Sequence, residues 1–180
     1  MSGSSLAGSS GYLKNVNVLV AEDNEFARQI VREVLNALGA NRVFYAKDGR
    51  QALEMCHDHA IEIALIDWEM PVVSGLEMLK SIRTSSNSPN KFLPVIMMTA
   101  YSELHHVTLA RDAGVSEYLI KPFSARQMLS RIRAAIENPR DFVKTEKYFG
   151  PDRRRKKDPK YRGRERRKDA EKKEDETADD

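Results

Sequence analysis

The feature of this sequence that most restricts its fold is a fivefold alternation of short apolar runs with longer amphipathic stretches. The apolar runs, which are rich in β-branched residues, extend over residues 16–20, 43–46, 61–66, 93–99 and 117–120. Each run is followed by apolar residues at helical spacing, in stretches that begin near residues 26, 48, 75, 102 and 124. Because such unbroken apolar strands are buried on both faces, the pattern predicts an α/β fold: a five-stranded parallel sheet, doubly wound, with helices on both sides.

The apolar spacing within two of the helices predicts which side chains face the core. In the first helix the apolar positions are Phe26, Ile30, Val31, Val34, Leu35 and Leu38. In the last helix they are Met128, Leu129, Ile132 and Ile136. Positions three and four apart lie on one face of an α-helix, so the spacing in the first helix indicates an amphipathic helix, and the four apolar residues of the last helix are expected to point inward.

Charge divides the 180 residues into regions that the overall net charge of +3 conceals. Residues 1–138 carry a net charge of −1, residues 153–168 carry +9 and residues 169–180 carry −5. Residues 139–180 include 7 apolar residues among 42, too few to build a core, so this segment is predicted to be disordered until something binds it. The predicted organisation is a flexible arm over 1–13, a domain over 14–138, a linker over 139–152, an arginine-rich ligand-binding segment over 153–168 and an acidic disordered tail over 169–180.

Composition excludes several classes of protein. With 41% hydrophobic and 32% charged residues the chain is neither collagen-like nor wholly disordered, and its single cysteine, Cys56, excludes an internal disulfide. No run of 18 apolar residues is present, so no membrane span is expected. The Ser/Gly-rich residues 1–11 lack the basic and apolar regions of a secretory signal, and a cytoplasmic location is expected.

Charged and hydroxyl side chains stand where the apolar runs end. Glu22 and Asp23 follow the first run, Asp67 follows the third, Thr99 ends the fourth and Lys121 follows the fifth. Ligands of open α/β sheets bind outside the carboxyl ends of the strands, where these residues are expected to meet. Three carboxylates at one edge need a cation, and oxygen ligands of this kind suit Mg²⁺. Asp67 is then placed as a nucleophile toward phosphorus, with Lys121 and the Thr99 hydroxyl contacting the phosphoryl oxygens.

Taken singly, Glu22 or Thr99 is explained equally well as a residue that caps the following helix. Taken together in strand order, four motifs resemble the receiver domains of two-component response regulators, the CheY-like family: Glu22-Asp23, Asp67-x-x-Met70-Pro71, Thr99-Ala100 and Lys121-Pro122. The resemblance covers nearly all of residues 14–138. It implies the strand order 2-1-3-4-5, phosphorylation of Asp67 by a histidine kinase or phosphotransfer protein, and a Mg²⁺ ion held by Glu22, Asp23, Asp67 and the backbone carbonyl of Glu69.

The same resemblance assigns roles around the predicted phosphorylation site. Thr99 is implied to be the switch hydroxyl and Tyr118, three residues before Lys121, to be the aromatic side chain that rotates. Ordinary packing at the edge of the core explains a tyrosine at position 118 as well. Trp68, next to Asp67, either shields the site or is a loop aromatic. The histidines lack Cys or acidic partners at metal-ligand spacing and are interpreted as solvated surface residues: His57, His59, His105 and His106.

The arginine-rich segment contains a repeated unit. Asp152-Arg153-Arg154 recurs thirteen residues later as Glu165-Arg166-Arg167. Arginine grips the O6 and N7 atoms of guanine with two hydrogen bonds and stacks on its face, while a carboxylate accepts from the opposite edge. Two acid-Arg-Arg units therefore suit cyclic di-GMP, which has two guanines and two phosphates. The charge run alone favours the alternative, a solvated stretch or a non-specific polyanion binder.

No output domain is recognisable after residue 138, and the tail FGPDRRR…YRGxERR resembles the CheY-like cyclic di-GMP effectors, the Cle group. In that family the tail binds the dinucleotide, and the complex acts on flagellar motor or surface-attachment machinery. The resemblance implies recruitment to the flagellar pole. It also implies ligand contacts from Asp152, Arg153, Arg154, Arg155, Tyr161, Arg162, Glu165, Arg166 and Arg167.

The sequence thus predicts a binding switch rather than a metabolic enzyme: a single-domain response regulator that acts as a cyclic di-GMP effector and is phosphorylated at Asp67. Two alternatives stay open. One is a phosphorelay or chemotaxis-type shuttle whose tail only solubilises it. The other is non-specific polyanion or nucleic-acid binding by the tail. Two tyrosines and two phenylalanines after residue 138 give little aromatic surface for stacking on single strands, which disfavours nucleic acid.

Overall fold

The computed structural model describes residues 11–146 and 148–153 and has the predicted α/β architecture. The strands of its main sheet are β1 (Asn17–Ala21), β2 (Arg42–Ala46), β3 (Ile63–Asp67), β4 (Val95–Thr99) and β5 (Glu117–Ile120). The helices are α1 (Glu25–Ala37), α2 (Gly49–Asp58), α3 (Gly75–Thr84), α4 (Leu104–Asp112) and α5 (Ala125–Glu137). Neighbouring strands of this sheet all pair in parallel, in the order β2-β1-β3-β4-β5, which confirms the predicted fold.

Two apolar clusters hold the helices to the two faces of the sheet. On one face the cluster joins α2, α3 and α4 through residues such as Cys56, Met78 and Ala110. On the other face α1 and α5 contribute residues such as Leu35 and Ile132. Since both faces are covered, every residue of β3 and β4 is buried, as the unbroken apolar runs require.

The helices bury a narrower stripe than their apolar spacing predicts. In α1, Leu35 is fully buried, but Phe26 is 75% exposed and Ile30 is 42% exposed. In α5, Ala135 is buried, whereas Ile136 is 36% exposed. The inward orientation predicted for Ile136 is therefore wrong, because only the centre of each apolar stripe reaches the sheet. Among the residues that the structure describes, no helix combines the length and the apolar character needed to cross a membrane.

The N-terminal arm is shorter than predicted. Leu13 is fully buried in the cluster of the α1 and α5 face, and its backbone N–H donates to the carbonyl of Leu38 (3.4 Å). The ring of Tyr12 lies against the guanidinium of Arg133, with 5.2 Å between Cζ and the ring centroid. A flexible arm extending to residue 13 is therefore wrong for residues 11–13, because one apolar side chain completes the core there. Residues 1–10 of the predicted arm lie outside the described residues.

Most of the predicted linker forms a β-hairpin. Its strands β6 (Phe142–Thr145) and β7 (Tyr148–Pro151) pair antiparallel. The rings of Phe142 and Phe149 meet that of Phe92 at centroid distances of 4.9 and 5.3 Å. The prediction that residues 139–152 are an unstructured linker is therefore wrong. Composition averaged over 139–180 concealed a local group of apolar residues, which packs on Phe92 of the main domain instead of building a core of its own.

Arg83 of α3 is the buried polar group beneath the hairpin. Its Nε, Nη1 and Nη2 atoms donate to the carbonyls of Gly114 (3.0 Å), Lys91 (2.8 Å) and Leu93 (2.8 Å). Its Cζ lies 5.2 Å from the ring centroid of Phe142. Burial lowers the pKa of Arg83 to about 10, so the guanidinium stays charged at neutral pH. The three carbonyls precede β4 and β5, and the hairpin therefore lies at the amino-terminal edge of the sheet.

Replacing Arg83 with methionine is expected to lower the free energy of unfolding by about 3 kcal/mol, because three carbonyls lose their charged donor in a buried site. Urea unfolding followed by circular dichroism measures the change. Arg50→Met is the matched control, since Arg50 is exposed on α2 and its loss should change stability little. Equal unfolding midpoints for the two variants would contradict the structural role of Arg83.

Candidate functional site

Four strands deliver polar side chains to the carboxyl edge of the main sheet. Glu22 follows β1, Asp67 ends β3, Thr99 ends β4 and Lys121 follows β5. Parallel strands present their carboxyl ends at the same edge, and the structure brings these side chains together there as the sequence predicts. Glu22 and Thr99 are 1% exposed and Asp67 is 8% exposed, so these three side chains are largely removed from water.

Lys121 is the cation that joins two buried carboxylates. Its Nζ lies 2.6 Å from Oε2 of Glu22 and 2.7 Å from Oδ1 of Asp67. Burial lowers the pKa of Lys121, but its hydrogen bonds to Asp67 and Glu22 outweigh that effect, and the pKa is raised. Burial raises the pKa of Asp67 and of Glu22, against the opposing hydrogen bond from Lys121. One cation thus serves two carboxylates, and the edge keeps an excess of negative charge that a further cation can neutralise.

Glu22, Asp23 and Asp67 form a group whose geometry suits a divalent cation. One carboxylate oxygen from each residue lies within 4.8 Å of the others. Asp23 is exposed and opens the group to solvent through a shallow depression lined also by Trp68 and Glu69. Mg²⁺ prefers hard oxygen ligands and retains several waters, so this donor set fits that ion.

Two residues of the described structure fix the backbone around these carboxylates. Nη1 of Arg28 donates to the carbonyl of Glu22 (2.8 Å) and lies 3.4 Å from that of Asp23. A Cβ atom at Gly75 would collide with the carbonyl oxygen of Asp67, so α3 can approach β3 closely only with glycine there. Sequence reasoning missed Arg28, because an arginine at that spacing is typical of the solvated face of an amphipathic helix.

An aromatic group flanks the predicted phosphorylation site. Tyr101 stacks on His106 with 4.1 Å between ring centroids and 7° between ring planes. Trp68 meets these two rings edge-on, at 6.1 and 5.5 Å. The hydroxyl of Tyr101 donates to the carboxylate of Glu69. The prediction of a solvated histidine is therefore wrong for His106, because Trp68 from the β3–α3 loop and Tyr101 from the β4–α4 loop pack against its ring and leave the side chain 28% exposed.

Tyr118 lies between the core and this aromatic group. Its ring packs on the α2, α3 and α4 cluster, and its hydroxyl donates to the backbone carbonyl of Tyr101 (2.9 Å). Oγ1 of Thr99 accepts from the backbone N–H of Tyr101 at 3.0 Å. Both side chains therefore contact the same loop residue. These contacts satisfy the packing interpretation of Tyr118, and its switch role stays a prediction.

Two of the residues predicted to bind cyclic di-GMP, Asp152 and Arg153, are remote from Asp67. Nη1 of Arg153 lies 3.4 Å from Oδ1 of Asp112, at the last residue of α4. The backbone N–H of Asp152 donates to the carbonyl of Asp141 (2.7 Å) beside the hairpin. Both residues lie at the amino-terminal edge of the sheet. Seven further predicted contacts lie outside the described residues: Arg154, Arg155, Tyr161, Arg162, Glu165, Arg166 and Arg167.

Fold and site together define a class of protein: a doubly wound domain with a lysine-bridged carboxylate group at the carboxyl edge of its sheet. Residues 18–133 match the family described as the response regulator receiver domain. The chain is 35% identical over 124 residues to chemotaxis protein CheY-3 of Vibrio cholerae, covering 69% of this chain and 94% of that protein. It is 32% identical to chemotaxis protein CheY of Pseudomonas aeruginosa, covering 68% and 97%.

A solved structure supports the same assignment. The chemotaxis response regulator CheY4 of Vibrio cholerae superposes with a TM-score of 0.61 and 29% identity, covering 67% of this chain and 98% of that one. The chain therefore belongs to the response regulator receiver family. The hairpin and the arginine-rich segment lie beyond residues 18–133, the part that the family match covers.

Asp67→Asn is expected to stabilise the metal-free protein at neutral pH, because the ionised carboxylate of Asp67 is penalised by burial. Because burial raises the pKa of Asp67, the stability that this group contributes is present below its unfolded-state pKa and is lost as the pH rises through its folded-state pKa. Thermal unfolding in EDTA between pH 4 and pH 8 should therefore show that the melting temperature of the variant, relative to that of the native protein, increases as the pH rises. Asp58→Asn, at an exposed position on α2, is the control. A stability difference independent of pH would contradict the direction of the shift.

Proposed function

We propose that this chain is a binding switch in which Asp67 accepts a phosphoryl group and the arginine-rich segment binds cyclic di-GMP. The observation that carries the first part is the lysine bridge between buried carboxylates. Lys121 contacts Asp67 and Glu22 at 2.7 and 2.6 Å, which holds the buried Asp67 side chain beside a donor set for a cation. The relatives' printed names, chemotaxis proteins and a chemotaxis response regulator, support the same kind of role.

In the proposed reaction a carboxylate oxygen of Asp67 attacks the phosphorus atom of a phosphohistidine on a kinase or phosphotransfer protein. The P–N bond breaks, the histidine leaves and an acyl phosphate forms on Asp67. Lys121 and the hydroxyl of Thr99 then contact phosphoryl oxygens. Mg²⁺, when bound by the carboxylates of Glu22, Asp23 and Asp67 and the carbonyl of Glu69, would neutralise the charge that develops on those oxygens.

The response to phosphorylation is proposed to run through the loop after β4. Thr99 Oγ1 now accepts from the N–H of Tyr101, and Tyr118 donates to the carbonyl of that same residue. If Thr99 turns toward the phosphoryl group, its contact with Tyr101 breaks. Tyr118 then loses a fixed partner and can rotate, which is the switch role proposed for it.

Cyclic di-GMP is the proposed ligand of the arginine-rich segment. The repeated acid-Arg-Arg units offer bidentate donors to guanine O6 and N7 and positive charge to two phosphates. Arg153 keeps 37% of its side chain exposed beside the folded domain. We propose that the liganded protein acts on flagellar motor or attachment machinery, in the cytoplasm and at the flagellar pole, and that it is no metabolic enzyme. The competing proposal is a chemotaxis-type shuttle whose tail binds polyanions without selectivity.

Incubation with Mg²⁺ and a small phosphodonor such as acetyl phosphate is expected to phosphorylate the protein at one position, detected by intact-mass spectrometry. Asp67→Asn should abolish the modification, because the amide cannot form the acyl phosphate. Asp58→Asn, an exposed carboxylate substitution, should leave it unchanged. Hydroxylamine should release the phosphate, as it does from acyl phosphates. Modification that persists in Asp67→Asn would refute the phosphoacceptor assignment.

Calorimetric titration is expected to give micromolar or tighter binding of cyclic di-GMP, with weaker binding of GTP and a short oligonucleotide. Arg153→Ala/Arg154→Ala should lose the cyclic di-GMP signal, because it removes guanine and phosphate contacts. Lys156→Ala/Lys157→Ala is the matched control, because it also removes two positive charges from this segment. The affinity of this variant for cyclic di-GMP should fall only slightly. Equal heats for all three ligands, or equal losses in the two variants, would favour the non-specific polyanion binder.

A further inference from the structure

Arg153, the first residue of the arginine-rich segment, is held against the folded domain by two side chains. Its Cζ lies over the Tyr148 ring, 4.1 Å from the ring centroid, at a distance typical of a cation–π contact. Its Nη1 lies 3.4 Å from Oδ1 of Asp112. The Arg153 side chain nevertheless remains 37% exposed, so part of its donor fork is accessible to a ligand.

The backbone that leads into Arg153 is also fixed. The N–H of Asp152 donates to the carbonyl of Asp141 at 2.7 Å, and the carbonyl of Asp152 accepts from Nη1 of Arg140 at 2.9 Å. Nη2 of Arg140 donates in turn to the carbonyls of Val115 and Ser116, which precede β5. The chain therefore enters the arginine-rich segment from a defined point at the amino-terminal edge of the sheet.

Tight packing sets the orientation of the Tyr148 ring. Its hydroxyl donates to the carbonyl of Pro151 at 2.6 Å, which closes the end of β7. A Cβ atom built at Gly150 would lie 2.7 Å from the Tyr148 hydroxyl oxygen and 2.8 Å from the Cα of Gly114. Glycine at position 150 thus lets β7 lie directly on the turn after α4. The Tyr148 ring that contacts Arg153 therefore belongs to the folded domain and not to the charged tail.

We propose that Tyr148 and Asp112 are positioning residues that present Arg153 to a guanine base of the dinucleotide. The inference rests on the proposed binding of cyclic di-GMP by the arginine-rich segment. One face of the guanidinium lies on Tyr148, and a guanine on the opposite face completes a column of ring, guanidinium and base. Asp112 holds one edge of the fork, which fixes the direction in which the remaining donors point. Because the side chain is ordered before the ligand arrives, less conformational entropy is lost on binding.

This arrangement favours a base over a bare polyanion. A polyanion without bases interacts with the charge of Arg153, which the loss of either positioning residue leaves intact. Stacking and bidentate recognition depend on the plane and direction of the guanidinium, which Tyr148 and Asp112 determine. Loss of either residue should therefore weaken cyclic di-GMP binding. Binding of a polyanion without bases should be unchanged when the Tyr148 ring is lost and slightly stronger when the Asp112 charge is lost.

The experiment compares full-length Tyr148→Leu, Tyr148→Phe and Asp112→Asn with the native chain, by calorimetric titration with cyclic di-GMP and separately with heparin. We expect Tyr148→Leu to weaken cyclic di-GMP binding about tenfold and Asp112→Asn about threefold. Tyr148→Phe retains the aromatic face and should restore affinity to within about twofold of the native value. Heparin affinity should be unchanged in the two Tyr148 variants and should rise slightly in Asp112→Asn, which removes one negative charge beside Arg153.

Thermal unfolding of each variant shows whether the hairpin remains folded, and Asp112→Asn keeps the test independent of the hairpin because Asp112 is 42% exposed on α4. This inference would be overturned if Tyr148→Leu and Asp112→Asn both bound cyclic di-GMP with native affinity while Arg153→Ala/Arg154→Ala lost binding. The proposed function would then still stand. Tighter binding in Asp112→Asn would also overturn it, since Asp112 would then compete with the ligand. Absence of cyclic di-GMP binding by the native chain would overturn both.

Discussion

A lysine ammonium buried between two carboxylates is the interaction on which the rest of the site depends. Lys121 satisfies Glu22 and Asp67 at once, although the three residues stand at the carboxyl ends of three different strands, β5, β1 and β3. Removing the lysine would leave both carboxylates as uncompensated buried charges, and the loss of one partner of a buried ion pair typically costs about 3–5 kcal/mol. The register of the parallel sheet must therefore bring these three strand ends together before the site can hold a cation or a phosphoryl group.

The sequence contains enough information for the main sheet because its strands are apolar throughout. Strands buried on both faces need uninterrupted apolar residues, and the first polar residue after each run marks where the strand leaves the core. For this reason the positions of Glu22, Asp67, Thr99 and Lys121 at one edge were predictable. The spacing alone does not reveal which side chains pair at that edge, because the placement of one lysine between two carboxylates is a property of the folded geometry.

The hairpin and its buried arginine show where sequence reasoning fails. Phe142 and Phe149 are too few to build a core, and composition correctly excludes one. Composition cannot reveal that Phe92 and the buried Arg83 of the main domain pack against these rings, because those contacts join segments distant in sequence. The structural roles of Arg28 and Arg83 are equally hard to predict from the sequence. An arginine is normally a surface residue, and only the fold supplies the backbone carbonyls that satisfy it when buried.

Helix α4 connects the two ends of the domain. Near its start His106 stacks on Tyr101 beside the predicted phosphorylation site, and at its last residue Asp112 contacts Arg153. Its 9 residues span about 13 Å at the usual helical rise, so the two contacts lie well apart on one stiff rod. Ala110 is the only residue of this helix that is buried, which leaves α4 lightly attached to the core. A rigid element with few apolar contacts moves as a unit at low cost. If the loop after β4 displaced the first turn of α4, Asp112 would therefore move as well, and its contact with Arg153 would change. By thermodynamic linkage, a ligand that fixes Arg153 would in turn shift the conformation of that loop.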